Sequence, residues 1–354
     1  MNRPELTLAL IGFGRVARRF VRLLDEVADR LDFSWRVIAI STRHHGSVID
    51  VDGVDVSRAL ATFESSYSLD RLDRDPVERS GIDTVRQVCD RLVDEATDGR
   101  LICIETTLLD IDGGEPAVSH VRAALEGQAH VVTANKGPAG FAYHQLDTLA
   151  ESVDRIFFFE GAVMDGIPVF NLVRDTMPAV HIRGFRGVIN TTCQYVLSSI
   201  ERGRELEHAL AEMRAKGIAE ADASLDVEGW DAAAKTAVLV NALVGGSITP
   251  HHVQRTGIAA LSAAEIQEAA ARNKRIRLVA SASRHGGQLI ARVEPELLDA
   301  TDPLAGLGEL DNALYLDTDL LGELGIVQRS SGLTQTAYAL LSDLARIAQR
   351  LRDV

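Results

Sequence analysis

The chain has 354 residues, 46% of them hydrophobic and 25% charged, with a formal net charge of −14. That length accommodates two domains with cores of their own. The basic residues are interleaved with acids, as in "RLDRDPVERS", so no basic stripe is offered to nucleic acid. No apolar run approaches the roughly 20 residues of a membrane helix, and the N-terminus has no cleavage site after its short apolar stretch. Cys89, Cys103 and Cys193 lie far apart without metal-type spacing, and an odd number argues against a disulfide framework; a reducing cytoplasm fits best.

Taken in order, "LTLALI" (6–11) predicts a β-strand ending at Gly12, and Val16, Phe20, Leu23, Leu24 and Val27 then recur at helical spacing. "WRVIAIS" (35–41) predicts a second buried strand, and residues 44–80 read as irregular with short helical pieces. A helix near 83–96 leads to the strand "RLICIETT", and a helix near 115–127 leads to "AHVVTAN". Strands alternating with helices at this spacing predict a doubly wound parallel sheet of α/β class. After about residue 140 the pattern becomes mixed: "DRIFFFEGAV" as strand, "GIPVFNLVRDT" as a turn into helix, "IRGFRGVINTT" as strand and "QYVLSSIERG" as helix. Helices near 205–216 and 230–244, a late strand "QLIARVEPELL" and a terminal amphipathic helix "TQTAYALLSDLARIAQRL" complete the reading.

Gly12-Phe13-Gly14-Arg15-Val16-Ala17 is a G-x-G-x-x-A pattern set between a strand and a helix. There Gly12 allows a tight turn, Gly14 lets backbone approach a pyrophosphate, and Ala17 keeps the helix close to the sheet. A tight strand–helix turn without a ligand would show the same glycines. The second strand ends "IAISTRHH", without the acid that an NAD ribose prefers; Thr42 and Arg43, with His44 and His45 beside them, favour the 2′-phosphate of NADP, with NAD as the other cofactor. "HVVTANKGPAG" places Lys136 just past a strand's carboxyl end, where open α/β sheets bind ligands.

"AEADASLDVEGWDAAAK" (219–235) crowds acids ahead of one lysine. With Asp231 and Lys235 four apart, a helix would put both on one face, either as a surface ion pair or, given the apolar "TAVLVNALV" that follows, as a buried pair with a function. Together with "LICIETT", "GGEPAVSHVRAALEGQAHVVTANKGP", "EGAVMDGIPV" and "GVINTTCQYVLSSI", this block resembles the homoserine dehydrogenase family over nearly the whole chain.

That resemblance implies an NAD(P)-dependent interconversion of L-homoserine and L-aspartate 4-semialdehyde, a step in threonine and methionine biosynthesis. It implies a Rossmann-type dinucleotide-binding domain over 1–140, an α+β substrate and dimerisation domain over 141–325, and a C-terminal segment, 326–354, whose helix returns to the cofactor domain. A homodimer follows from the same resemblance, with a small molecule as the substrate and neither nucleic acid nor membrane as partner. By position, Lys235 is the acid/base lysine and Lys136 its partner at cofactor and substrate. Glu220 and Asp231 bind the substrate, with Asp226 as a third acid and Thr192 beside them, and Thr106 joins the cofactor residues. "EGAVMDGIPV" resembles the family's loop for a monovalent cation, usually sodium, with Glu160, Val163, Asp165 and Ile167 as ligands, mostly through backbone carbonyls.

Two stretches depart from the family pattern. Asn190-Thr191-Thr192-Cys193-Gln194-Tyr195 carries Thr191 where the family has glycine, and "VQRSSGLTQTAYALL" (327–341) keeps one glycine, Gly332, of a glycine-rich turn. These departures leave open a relative acting on another amino-acid aldehyde or alcohol, and a non-catalytic NADP-binding protein remains a further reading. The chain stops soon after the terminal helix, as in a short form without a regulatory module.

Overall fold

A computed structural model describes residues 3–69, 72, 80–93, 99–215 and 223–352. Two compact units divide the chain: one comprises 1–138, 142–168 and 333–354, the other 139–141 and 169–332.

The first unit is built on strands β1 (Glu5–Ile11), β2 (Ser34–Ser41), β3 (Ser47–Ile49), β4 (Leu101–Glu105), β5 (His130–Thr133) and β6 (Phe157–Phe158). They lie in the order β3-β2-β1-β4-β5-β6, parallel except for the β2–β3 pair. Helices α1 (Arg15–Glu26), α2 (Val56–Ser66), α3 (Gly81–Val93), α4 (Ala117–Glu126), α5 (Lys136–Phe141) and α6 (Tyr143–Ser152) are interleaved with the strands, and α5 ends in the second unit. Strands β1 and β4 are buried throughout except Glu5, as a sheet covered on both faces requires. The chain leaves β1 first toward β2 and later returns to β4 on the other side, which makes the β1/β4 edge the topological switch point.

The second unit contains α7 (Val169–Thr176), α8 (Thr191–Glu201), α9 (Leu206–Ala215), α10 (Ser224–Val227), α11 (Trp230–Leu239) and α12 (Ala263–Ala271). Its sheet is made of β7 (Ile182–Val188), β8 (Gln254–Arg255), β9 (Lys274–His285), β10 (Gln288–Asp299), β11 (Asn312–Thr318) and β12 (Glu323–Gln328) in the order β12-β11-β7-β9-β10-β8. All pairs are antiparallel except β8–β10. Helices α8, α11 and α12 lie against β9. Buried Val188, Val279, Leu298, Leu304, Leu307 and Ala313 form a core cluster beneath. Pro295 sits inside β10 beyond the two residues that pair with β8, so its missing N–H removes no ladder bond there.

Helix α13 (Leu333–Arg350) belongs to the first unit: Ala337, Leu340, Leu344 and Ile347 join the core formed by Phe20, Leu24 and Leu8. Two boundaries differ from those expected from sequence. The division expected at 140 lies at 168, because β6 continues the first sheet and Glu160 N donates to Asp343 of α13. The division expected at 325 lies at 332, because β12 pairs with β11 in the second sheet. The strand expected over "DRIFFFEGAV" is confined to Phe157–Phe158 and gives way to a 3-10 turn, Glu160–Ala162, whose first amide bonds to Asp343 and not to a strand. Strands β3, β8, β9, β11 and β12 and helices α5, α6, α10 and α12 have no counterpart among the elements the sequence predicts.

Candidate active site

The residues expected to hold the nucleotide lie at the switch point of the first unit. Gly12 follows β1 at φ +95°, and a Cβ there would stand 2.8 Å from the Thr106 carbonyl carbon, so only glycine is tolerated. Thr106 follows β4; its amide donates to the Ile11 carbonyl (2.8 Å) and its hydroxyl to the Gly12 carbonyl (3.2 Å), which locks the two strand ends together. Gly14 is the N-cap of α1, and a Cβ built on it meets nothing within 4 Å. With no acidic residue in the first turn of α1, this open ground before the helix N-terminus suits an anionic group. Arg15 is exposed, Val16 half-buried and Ala17 wholly buried. Phe13 turns its ring into the core, edge-on to Phe63 at 5.5 Å, so its contribution to a ligand is limited to backbone.

Arg43 and His44 are exposed in a tight turn after β2, closed by Thr42 Oγ1 donating to the Gly46 carbonyl (2.8 Å) and accepting from His45 N (2.9 Å). Half-buried Lys136 opens α5, whose N-cap is Asn135. Beneath it, wholly buried Glu105 accepts hydrogen bonds from Thr107 N (2.9 Å) and Thr133 Oγ1 (2.7 Å), and the Asn135 amide donates to the Thr107 and Leu108 carbonyls. The proposed cation ligands follow β6: Glu160 in the 3-10 turn, buried Val163 and Ile167, and Asp165 at φ +50°, whose Oδ1 accepts from Thr336. Among the described residues no cluster of His, Cys, Asp or Glu could hold a metal.

The second unit gathers the acid–lysine block around one amide. Lys235 Nζ lies 2.9 Å from Asp231 Oδ2, with side-chain exposures of 13% and 15%. It also donates to the Ile189 carbonyl at 2.8 Å, just past β7. Asn190, the N-cap of α8, donates through Nδ2 to Asp226 Oδ1 (2.7 Å) and to Asp231 Oδ2 (2.8 Å), while its Oδ1 accepts from Cys193 N (2.7 Å). Buried Thr192 hydrogen-bonds Asp226 as well. Burial and the nearby charge of Asp231 raise the pKa of Asp226 above the ordinary carboxylate value, against the opposing effects of Asn190, Lys235 and Thr192. Burial pushes the Cys193 thiol well up, so it serves as a packed hydrophobe. Asp226, Asp231, Lys235 and Thr192 are therefore brought together, whereas Glu220 and Asp222 lie outside the described residues. Asn190 was not singled out from sequence, where an asparagine before a helix signals only a cap.

The family profile described as homoserine dehydrogenase matches residues 168–345. An NAD(+)-dependent homoserine dehydrogenase from Pseudomonas canavaninivorans is 35% identical over 98% of this chain and 97% of its own. A homoserine dehydrogenase from Methanocaldococcus jannaschii is 33% identical over 97% and 98%. Among solved structures, a hyperthermophilic archaeal homoserine dehydrogenase in complex with NADPH superposes with a TM-score of 0.77 at 26% identity, covering 98% of both chains. The chain belongs to the homoserine dehydrogenase family, NAD(P)-dependent oxidoreductases of amino-acid biosynthesis that act on a CH–OH group.

Proposed function

We propose that this chain interconverts L-homoserine and L-aspartate 4-semialdehyde with Lys235 as the proton donor and acceptor. The observation that carries the assignment is the pairing of a largely buried lysine with Asp231, itself joined through Asn190 to Asp226. When bound, the nicotinamide supplies the hydride in one direction and accepts it in the other. In reduction, the Lys235 ammonium hydrogen-bonds the aldehyde oxygen and transfers its proton there as negative charge develops; in oxidation, the neutral amine takes the hydroxyl proton. Asp231 holds the ammonium form in place. The carboxylates of Asp226 and Asp231, with Glu220, receive the amino group of the zwitterionic substrate.

The cofactor residues are Gly12, Gly14, Ala17, Thr106 and the backbone of Phe13, Arg15 and Val16, with Lys136 at the edge of the sheet. The first unit is the cofactor domain and the second the substrate domain. Exposed Arg43 directly after β2, with Ser41 and Thr42 where an acid would serve NAD, supports NADP as the preferred cofactor. The loop of Glu160, Val163, Asp165 and Ile167 is assigned to sodium, the second unit to dimerisation, and the chain to the cytoplasm, where its three buried free thiols are stable.

The test is reduction of NADP⁺ and NAD⁺ by the purified chain with L-homoserine, beside a panel of amino alcohols of other lengths. Homoserine-dependent turnover that is faster with NADP⁺ supports the reading. A folded, nucleotide-binding protein that oxidises a different amino alcohol overturns the substrate, and one that turns over none overturns the activity.

A further inference from the structure

The two departures from the family pattern, Thr191 and the "QRSSG" turn, meet at one side chain. Asn312 opens β11 and is 1% exposed. Its Nδ2 donates to Thr191 Oγ1 at 2.9 Å and to Ser331 Oγ at 2.7 Å. A glycine at 191 would present no hydroxyl, and a glycine at 331 would present none either. The Oδ1 end of the same amide is buried and has no hydrogen-bond partner among the described residues. Such a group is costly to bury, so the two donations are what an apolar residue of similar shape could not replace.

The neighbouring Asp311 holds the turn from the other side. Its carboxylate accepts from Arg329 Nη1 (3.0 Å), Ser330 N (3.3 Å) and Gly308 N (2.9 Å), while Ser331 N donates to the Leu310 carbonyl (2.9 Å). Ser330 lies at φ +63°, the left-handed region that a glycine would occupy without strain. At the far end of the clamp, Thr191 is the residue after Asn190, whose amide holds Asp226 and Asp231.

We infer that Asn312 is a positioning residue: by tying Thr191 to Ser331 it fixes the 329–332 turn to the start of α8 and so fixes the amide that aims the two substrate carboxylates. The catalytic half of this inference rests on the proposed function; the clamp itself does not. The test uses the full chain with Thr191→Val, which keeps the side chain's shape and removes the hydroxyl, and Thr191→Ser, which restores the hydroxyl. Loss of one hydrogen bond corresponds to about a three- to tenfold change in the local opening equilibrium. Amide exchange at Ser330, Ser331 and Gly332 in Thr191→Val should therefore accelerate by about that factor, and Thr191→Ser should return it to the parent rate. In the same variants the KM for homoserine should rise several-fold in Thr191→Val with kcat changed less than about twofold, again with recovery in Thr191→Ser. Unchanged exchange at the turn in Thr191→Val overturns the clamp. Faster exchange with an unchanged KM overturns the positioning role. Faster exchange in Thr191→Val, when the parent chain itself oxidises no homoserine, leaves the clamp standing and removes the substrate reading instead.

Discussion

Two carboxylates share one amide in the second unit, with Asn190 Nδ2 at 2.7 Å from Asp226 and 2.8 Å from Asp231. Because burial and Asp231 raise the Asp226 pKa, the folded value exceeds the unfolded one. Protonated Asp226 thus favours the native state at low pH, and that contribution is lost as pH rises through the raised value. Carrying the charge therefore costs stability, in keeping with the substrate-binding role proposed for Asp226. Asp226→Asn keeps an acceptor for Asn190 and removes the charge. It should melt above the parent at pH 7 in a thermal scan while its KM for homoserine rises at least tenfold (about 1.4 kcal/mol of lost charge pairing). In the parent, KM should rise as pH falls through the raised Asp226 value, above the ordinary aspartate range. A KM in Asp226→Asn equal to that of the parent would remove Asp226 from the substrate site. These roles were only partly legible. Asp231 and Lys235 were visible because a helix puts i and i+4 on one face. Asn190 was not, because its meeting with residues 226 and 231 is made by the fold and leaves no trace in local spacing.

Among the elements, β5 carries a pH-sensitive contact. His130 is nearly buried, and its Nδ1 accepts from Ile156 N at 3.0 Å, a bond that only the unprotonated nitrogen can receive. Burial is the chief cause that lowers its pKa to about 4. The unfolded chain therefore binds more protons than the native one between about pH 6.5 and 4, so stability is full above this window and falls as pH drops through it. The loss amounts to at most about 3 kcal/mol. Denaturant unfolding of His130→Asn, which retains an acceptor, should show a shallower pH dependence across that window; an unchanged slope would assign the acid sensitivity elsewhere. On the proposed NADP preference, Arg43→Ala in the loop after β2 should raise the NADP⁺ KM roughly tenfold and leave that for NAD⁺ within about twofold, and equal effects on both would contradict the 2′-phosphate role. The elements of the first sheet were readable because buried parallel strands are continuous apolar runs. Strands β9, β11 and β12 escaped because their period is blurred. "KRIRLVASASRH" mixes charges with small Ala and Ser residues, and "ELGIVQ" is short and carries a glycine.

At the scale of the whole molecule, the chain reaches the second unit and then returns. Helix α13 follows the 329–332 turn and completes the first unit's core with Leu340, Leu344 and Ile347, so the C-terminus is part of the nucleotide-binding unit's stability. The sequence pattern suggested two domains but misplaced their limits, since β6 is two residues long and β12 is a half-buried edge strand, and neither announces which sheet it joins. With the proposed nucleotide residues in the first unit and the proposed proton-handling cluster in the second, binding and proton transfer should be separable by mutation. Lys235→Met keeps the apolar stem and removes the amine. The measurement that tests this most directly is steady-state homoserine oxidation by Lys235→Met, alongside NADPH binding followed by fluorescence. The predicted result is an NADPH Kd within about twofold of the parent and a kcat lower by about 10²- to 10⁴-fold, the range for loss of a positioned general acid–base group. Turnover within a factor of ten of the parent, with cofactor binding intact, would contradict Lys235 as the residue that handles the proton.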